Sequence, residues 1–294
     1  MKALFNSNSY LPIINGLVGD KLSQRQDDWA IGLSFRLDGN DVTVAELNSK
    51  LGSRSTVVFV HGLMADERIW KHFRGFDEEF STLYVRYNTG LHIHENGKLL
   101  AELLKAYGRR FPASKIFLAG HSMGGLVIRS ACHYAKKRRH DWVDRVAAIF
   151  LIAVPNAGAA LEKVSHATAA ILNRIARWHL GTIGNIIDQR SNGIKDLRLG
   201  TMLESDPLAK VDERSSVPPI PGIRYHILVG SFAADEKSLM ARYFGDGLVT
   251  QGSAVGKTLF KVSEVKIFPK TGHNSILNDA RVLRYVREVL KRGR

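Results

Sequence analysis

The segment Gly120-His121-Ser122-Met123-Gly124 joins a short apolar run, Lys115–Ala119, directly to the helix-like stretch GLVIRSACHYA that starts at Gly125. A short run rich in branched and aromatic residues reads as a buried strand, and the longer stretch after it reads as a helix. A serine at such a junction can simply cap the helix with its hydroxyl. The complete order of strand, G-x-S-x-G and helix asks for more. It is the setting in which a serine is held on a sharp, strained turn with its Oγ clear of the sheet, and in which glycines leave room for strand and helix to approach. That feature restricts the chain to layered β/α architectures.

The remaining pattern agrees. Strand-like runs recur at Thr56–Val60, Thr82–Tyr87, Lys115–Ala119, RVAAIFLIAVP (ending at Pro155), RYHILVG and VSEVKIF. Between the second and third lies ENGKLLAELLKAYGRRF, whose Leu99, Leu100, Leu103, Leu104 and Tyr107 fall at helical spacing; SILNDARVLRYVREVLKR closes the chain as an amphipathic helix. Alternation of this kind predicts a mostly parallel sheet with crossover helices on both faces. Upstream, AIGLSFRLDGNDVTVAEL alternates about Asp38-Gly39-Asn40, which predicts an antiparallel hairpin at the start of the sheet. One interval breaks the rhythm. Residues 156–222 hold the helix-like LEKVSHATAAILNRIARWHL, the loop-rich RSNGIKDLRLG and the proline-rich SVPPIPGI, and read as a cap or lid inserted into one domain of residues 1–294.

With 294 residues, 45% of them hydrophobic, the chain can bury a sizeable core. Its single cysteine, Cys132, excludes an internal disulfide framework and suits a reducing compartment; it lies inside a helix without a paired base and is not expected to be catalytic. The amino terminus has no signal-peptide pattern and no run approaches a membrane span, so the expected location is cytoplasmic. Forty-two Lys+Arg against 28 Asp+Glu give a net charge of +14. The excess is scattered, with its densest pieces at Lys136–Arg145 and Arg281–Arg294, and neither interleaves aromatics in a way that makes a stacking platform for bases. The first reading is solvated helix faces, the second a peripheral contact with an anionic membrane surface; nucleic acid is not an expected partner. Oligomeric state is open.

GHSMGG at Gly120–Gly125, together with FVHGLMAD at Phe59–Asp66, resembles the α/β-hydrolase superfamily, and more narrowly bacterial lipases and inositol-deacylase-like serine esterases. The resemblance implies an α/β-hydrolase fold and an esterase or lipase with a catalytic triad in the order serine, acid, histidine. Ser122 is then the nucleophile. His273, in FPKTGHNSIL after the last strand, takes the place of the base, and Asp246, in FGDGLVTQGSA, that of the acid, with Asp235 as its competitor. The oxyanion-hole donors implied are the backbone N–H groups of Met123 and Leu63. The segment LIAVPNAGA resembles a relative's TPH-x-GS, with Val154 and Asn156 where Thr and His stand there.

A serine hydroxyl is a weak nucleophile near neutrality, which is why it needs a base and a group that orients the base. No metal or organic cofactor is required for that chemistry. His92 and His94 share one side of an extended segment, but spacing supplies no third ligand and a metal site is not expected; His61 is expected to order the loop after its strand. The substrate that the resemblance implies is a small-molecule or lipid ester. The same triad also serves acyl transfer and thioester or amide hydrolysis, and a noncatalytic, anionic-surface-binding member of the fold is the remaining alternative.

Overall fold

The computed structural model describes residues 7–49, 51, 54–156, 191–206, 217–232 and 263–293. Among them run α1 (Ser7–Gln24), β1 (Ser34–Leu37), β2 (Asn40–Val42), β3 (Thr56–Val60), β4 (Ser81–Arg86), α2 (Ile93–Arg110), β5 (Ile116–His121), α3 (Met123–Lys137), β6 (Val146–Ile152), α4 (Asn192–Leu199), β7 (Arg224–Ser231), β8 (Ser263–Pro269) and α5 (Ala280–Arg292). The eight described strands form one sheet in the order β2-β1-β4-β3-β5-β6-β7-β8. β1 pairs antiparallel with β2 and β4, and every pairing from β4 to β8 is parallel.

The hairpin forms where the sequence puts it. Asp38 and Gly39 both take positive φ, 49° and 80°, which is the two-residue turn whose twist matches paired strands. Every residue of β3 and β5 is buried, because the sheet is covered on both sides and such strands have no wet face to make polar. Alternate residues serve the two cores. Val58, Val60, Ile116 and Leu118 pack with Leu100, Leu104, Tyr107, Leu126 and Val127 of α2 and α3. Val57, Phe59, Phe117 and Ala119 face the opposite way, against Trp70, Phe73 and Phe76 of a 3₁₀ stretch (Glu67–Phe76) and Val282, Val286 and Val289 of α5. Of the leucines spaced along α2, Leu99 instead faces solvent at 47% exposure.

Two helices were not foreseen in the sequence reading. The N-terminal apolar run, interrupted by Pro12 and Asn15, is part of helix α1, with non-helical backbone at Val18. Asn15 there uses its side chain as a connector: Nδ2 donates to the Trp29 carbonyl at 2.8 Å and Oδ1 accepts from the Ile31 N–H at 2.9 Å. The stretch RSNGIKDLRLG, read as loop, contains α4. Ser191 caps its start by accepting from the Ile194 N–H, Gly200 ends it in the left-handed region at φ 70°, and Ile194 and Leu197 are buried. Eight residues are too few for periodicity to show.

Several of the basic side chains are paired. Lys136 meets Asp144, Arg138 meets Glu102, and Arg287 and Lys291 both reach Glu79. No helix among the described residues is long and apolar enough to cross a membrane.

Candidate active site

The site grows from the junction of β5 and α3. Ser122 sits between them with φ 52° and ψ −125°, in the half of conformational space that costs a non-glycine residue about 1–3 kcal/mol and persists only where the surroundings impose it. They do so here. A Cβ on Gly120 would lie 2.6 Å from the Cα and N of Gly125, and one on Gly124 would collide with the carbonyls of Val60 and His61. Both glycines therefore permit backbone-to-backbone contact: the first turn of α3 lies directly on β5 and on the end of β3. The Ser122 N–H still continues the sheet, donating to the Ile152 carbonyl at 3.0 Å.

Met123 opens α3, so its N–H belongs to the first turn, where no carbonyl of the same helix is within reach. The second expected donor, Leu63, lies in the turn that follows β3. Gly62 brings that turn against the serine, since a Cβ there would stand 3.1 Å from Ser122 Cβ. The turn is held from several sides. The Ala65 N–H donates to the Gly62 carbonyl at 3.3 Å, the Met64 N–H to Thr89 Oγ1 at 3.2 Å, and the Tyr87 hydroxyl to the His61 carbonyl at 2.8 Å.

His61 is fully buried, stacked on Tyr87 with ring centroids 4.4 Å apart. Its Nδ1 donates to the Gly62 carbonyl at 2.9 Å, and its Nε2 has no hydrogen-bond partner among the described residues. Burial pushes its pKa down to about 4, against the smaller opposing pull of the Gly62 carbonyl, Asp66 and Glu67. The folded protein thus refuses a proton that the unfolded chain accepts near pH 6.5, and this stability, complete above pH 6.5, is lost as pH falls toward 4. The loss from this group is about 3 kcal/mol. Urea midpoints at pH 7 and 4.5 check it: His61→Asn should narrow the gap between them, while His226, also lowered to about 4 by burial, keeps some of the acid sensitivity in the variant.

His273 lies in the loop between β8 and α5. The Thr271 N–H donates to the Ser231 carbonyl at 2.9 Å, the Gly272 N–H to Ser275 Oγ at 2.8 Å, and Thr271 Oγ1 to Asp279 at 2.9 Å. The Arg281 guanidinium holds the Asp279 carboxyl down at about 2, keeping that anchor ionised. Across the site, His121 Nε2 donates to the His273 carbonyl at 2.9 Å, and the two imidazoles lie 4.9 Å apart. The residue preceding Ser122 thereby fastens the His273 loop to the elbow. Asp246 and Asp235 both lie outside the described residues, as do residues 157–190 and 207–216 of the interval read as a cap or lid.

Two features escaped the sequence reading. Arg129 of α3 is buried, and burial lowers its pKa to about 10. Its Nη1 donates to Asn156 Oδ1 at 3.1 Å and its Nη2 to the Val217 carbonyl at 2.7 Å. One guanidinium thus grips the chain on both sides of residues 157–216, and its signal was a single Arg among the first thirteen residues of α3, before the Lys136-Lys137 end. Asn156, where the resemblance has a histidine, is the acceptor in that arrangement. The second feature is Asp196 of α4, which meets His92 and His94 at the start of α2. Its hydrogen bond raises the His92 pKa, whereas burial lowers that of His94. Cys132 is buried with its thiol pushed up to about 12, so it stays protonated and inert.

A search of curated protein sequences finds no match. Among solved structures, the chain is similar to the mature form of the lipase BlEst2 of Bacillus licheniformis, with a TM-score of 0.55 and 17% identity over 88% of this chain and 98% of that one. It is likewise similar to the carboxylesterase CesB (YbfK) of Bacillus subtilis, with a TM-score of 0.51 and 15% identity over 82% and 85% of the two chains. A hydrolase of Oleispira antarctica, olei00960, superposes with a TM-score of 0.52 at 12% identity over 88% and 94%. At these identities the likeness is one of fold. The family model described as the alpha/beta hydrolase family matches residues 57–285, which span the sheet from β3 onward, the Ser122 junction and the His273 loop. This chain belongs to the alpha/beta hydrolase family.

Proposed function

We propose that the protein is a serine hydrolase that cleaves carboxylic esters through Ser122, His273 and Asp246. His273 takes the proton of Ser122 Oγ as the oxygen attacks the ester carbonyl, and Asp246 holds the imidazole in the tautomer that can accept it. The N–H groups of Leu63 and Met123 stabilise the oxyanion, each contributing about 3–4 kcal/mol, and the positive end of α3 adds to them. His273 then protonates the leaving alcohol, and water attacks the acyl-enzyme by the reverse route. The observation that carries this reading is the backbone of Ser122: a φ of 52° at a junction packed glycine against glycine, with the turn after β3 on one side and the His273 loop tied to His121 on the other. Helix capping needs none of that strain.

Residues 156–222 serve in this reading as the cap over the acyl pocket, gripped on both sides of its middle stretch by Arg129. A series of p-nitrophenyl esters of rising chain length tests the function. Turnover with saturation kinetics is expected, with emulsified long-chain esters cleaved faster than dissolved short ones. Equal or better rates on short chains alone would remove the cap's lipid role, and no turnover of any ester by folded protein would remove the esterase reading.

A further inference from the structure

His92 and His94 stand at the N-terminus of α2, their rings stacked 4.9 Å apart at 21°. The Asp196 carboxylate, 2% exposed, arrives from α4, so that His92 Nδ1 lies 3.0 Å from one of its oxygens and 3.1 Å from the other. One nitrogen from each imidazole and one carboxylate oxygen all lie within 4.8 Å of one another. We propose that these three side chains form a binding site for a divalent transition metal of the zinc type, which clasps α4 to the start of α2.

The chemistry of the donors selects the ion. Two imidazole nitrogens and one carboxylate oxygen suit Zn²⁺, whereas Ca²⁺ and Mg²⁺ want sets made of oxygen alone. In a tetrahedral site with bonds near 2.0–2.1 Å the ligand atoms are about 3.4 Å apart. The His92–Asp196 distance is already shorter than that, and a swing of the half-buried His94 ring closes the remainder. The proton that now bridges His92 and Asp196 leaves when the ion takes its place, and water fills the fourth position.

A simple histidine–carboxylate pair accounts for one ring and leaves the second unexplained. The carboxylate is also oriented before any ion arrives, because the Ile93 N–H donates to Asp196 Oδ2 at 2.8 Å. That outer contact fixes the ligand as such contacts do in metal sites. The nearby cations are engaged elsewhere: Lys98 Nζ lies 2.6 Å from Glu204 and Lys195 Nζ 3.5 Å from Asn192 Oδ1. Glu95, the remaining charge in that first turn, accepts from the His92 N–H at 2.9 Å. Because the clasp joins residues 104 positions apart, it would hold α4, within the inserted segment, to the start of α2.

The full-length protein, stripped with a chelator and dialysed, is titrated with Co²⁺ while the visible spectrum is followed, and with Zn²⁺ against a chromophoric chelator. One equivalent of Co²⁺ giving intense tetrahedral bands is expected, with Zn²⁺ at a hundredfold excess over Kd raising the Tm by about 5–10 °C. His94→Ala keeps the His92–Asp196 bond and should fold as the wild type does, yet lose about 100-fold or more in affinity; Asp196→Asn should lose at least as much. His72→Ala, on an exposed ring elsewhere, should bind unchanged. Binding that is absent, or equal in wild type and His94→Ala, overturns the proposal. None of these readouts depends on Ser122.

Discussion

Ser122→Ala is expected to abolish labelling by a fluorophosphonate probe, read as a mass increase on the intact protein, and to lower ester turnover by about a millionfold. The size of the effect follows from what the variant lacks. Neither His273 nor the oxyanion donors can compensate for a missing nucleophilic oxygen, so what survives is the modest help of binding and of Leu63 and Met123 to attack by water. The fold should be untouched, since alanine removes one atom from a side chain that is 4% exposed and leaves the backbone as strained as before. A companion variant sharpens the test. Ser122→Gly is also inactive, but at φ 52° glycine has no Cβ to pay for, and its urea midpoint should correspond to about 1 kcal/mol more stability than Ser122→Ala. Inactive but more stable is the signature of strain kept for chemistry. Wild-type protein that is folded yet takes no probe would mean the elbow is built and unarmed, and the binding-member alternative would replace the hydrolase reading.

The sheet was legible in the sequence for a physical reason. β3 and β5 are buried along their whole length and β6 nearly so, and these strands appear as almost unbroken apolar runs, while the turn at Asp38-Gly39 carries the residues its positive φ values demand. The elbow was legible because backbone-to-backbone packing at Gly120 and Gly124 admits no other residue without a shift. α1 was not. Asn15, Gly16 and Gly19 look like interruptions when read along the chain, whereas in the fold Gly16 lets Met64 approach, Gly19 lets Asn88 approach, and Asn15 bonds to Trp29 and Ile31. The meeting of His92 with Asp196 was hidden in the same way, because a contact across 104 residues leaves no local period. Spacing supplied two imidazoles, and tertiary packing of a helix read as loop supplied the carboxylate.

The order of the two candidate acids is the other large effect. Asp246→Asn is expected to lower kcat on p-nitrophenyl esters about 10⁴-fold with little change in KM, while Asp235→Asn stays within a few-fold of wild type. The carboxylate of a triad accepts the Nδ1–H of the histidine and so leaves Nε2 bare to take the serine's proton. An asparagine can present its NH₂ instead, which favours the opposite tautomer and puts the proton on the nitrogen that should accept one. Binding of the ester does not involve that bond, so the loss falls on kcat. Sequence supports Asp246 through its setting in Gly-Asp-Gly-Leu-Val, where flanking glycines allow a tight turn, whereas Asp235 runs into Glu236 and Lys237 as a solvated surface would. Fluorophosphonate labelling supplies the second axis, for a variant that merely unfolds loses probe and near-UV circular dichroism together, whereas Asp246→Asn should keep its spectrum and label slowly. The reverse ranking, with Asp235→Asn crippled and Asp246→Asn mild, would move the acid eleven residues back along the chain and leave Ser122 and His273 in their roles.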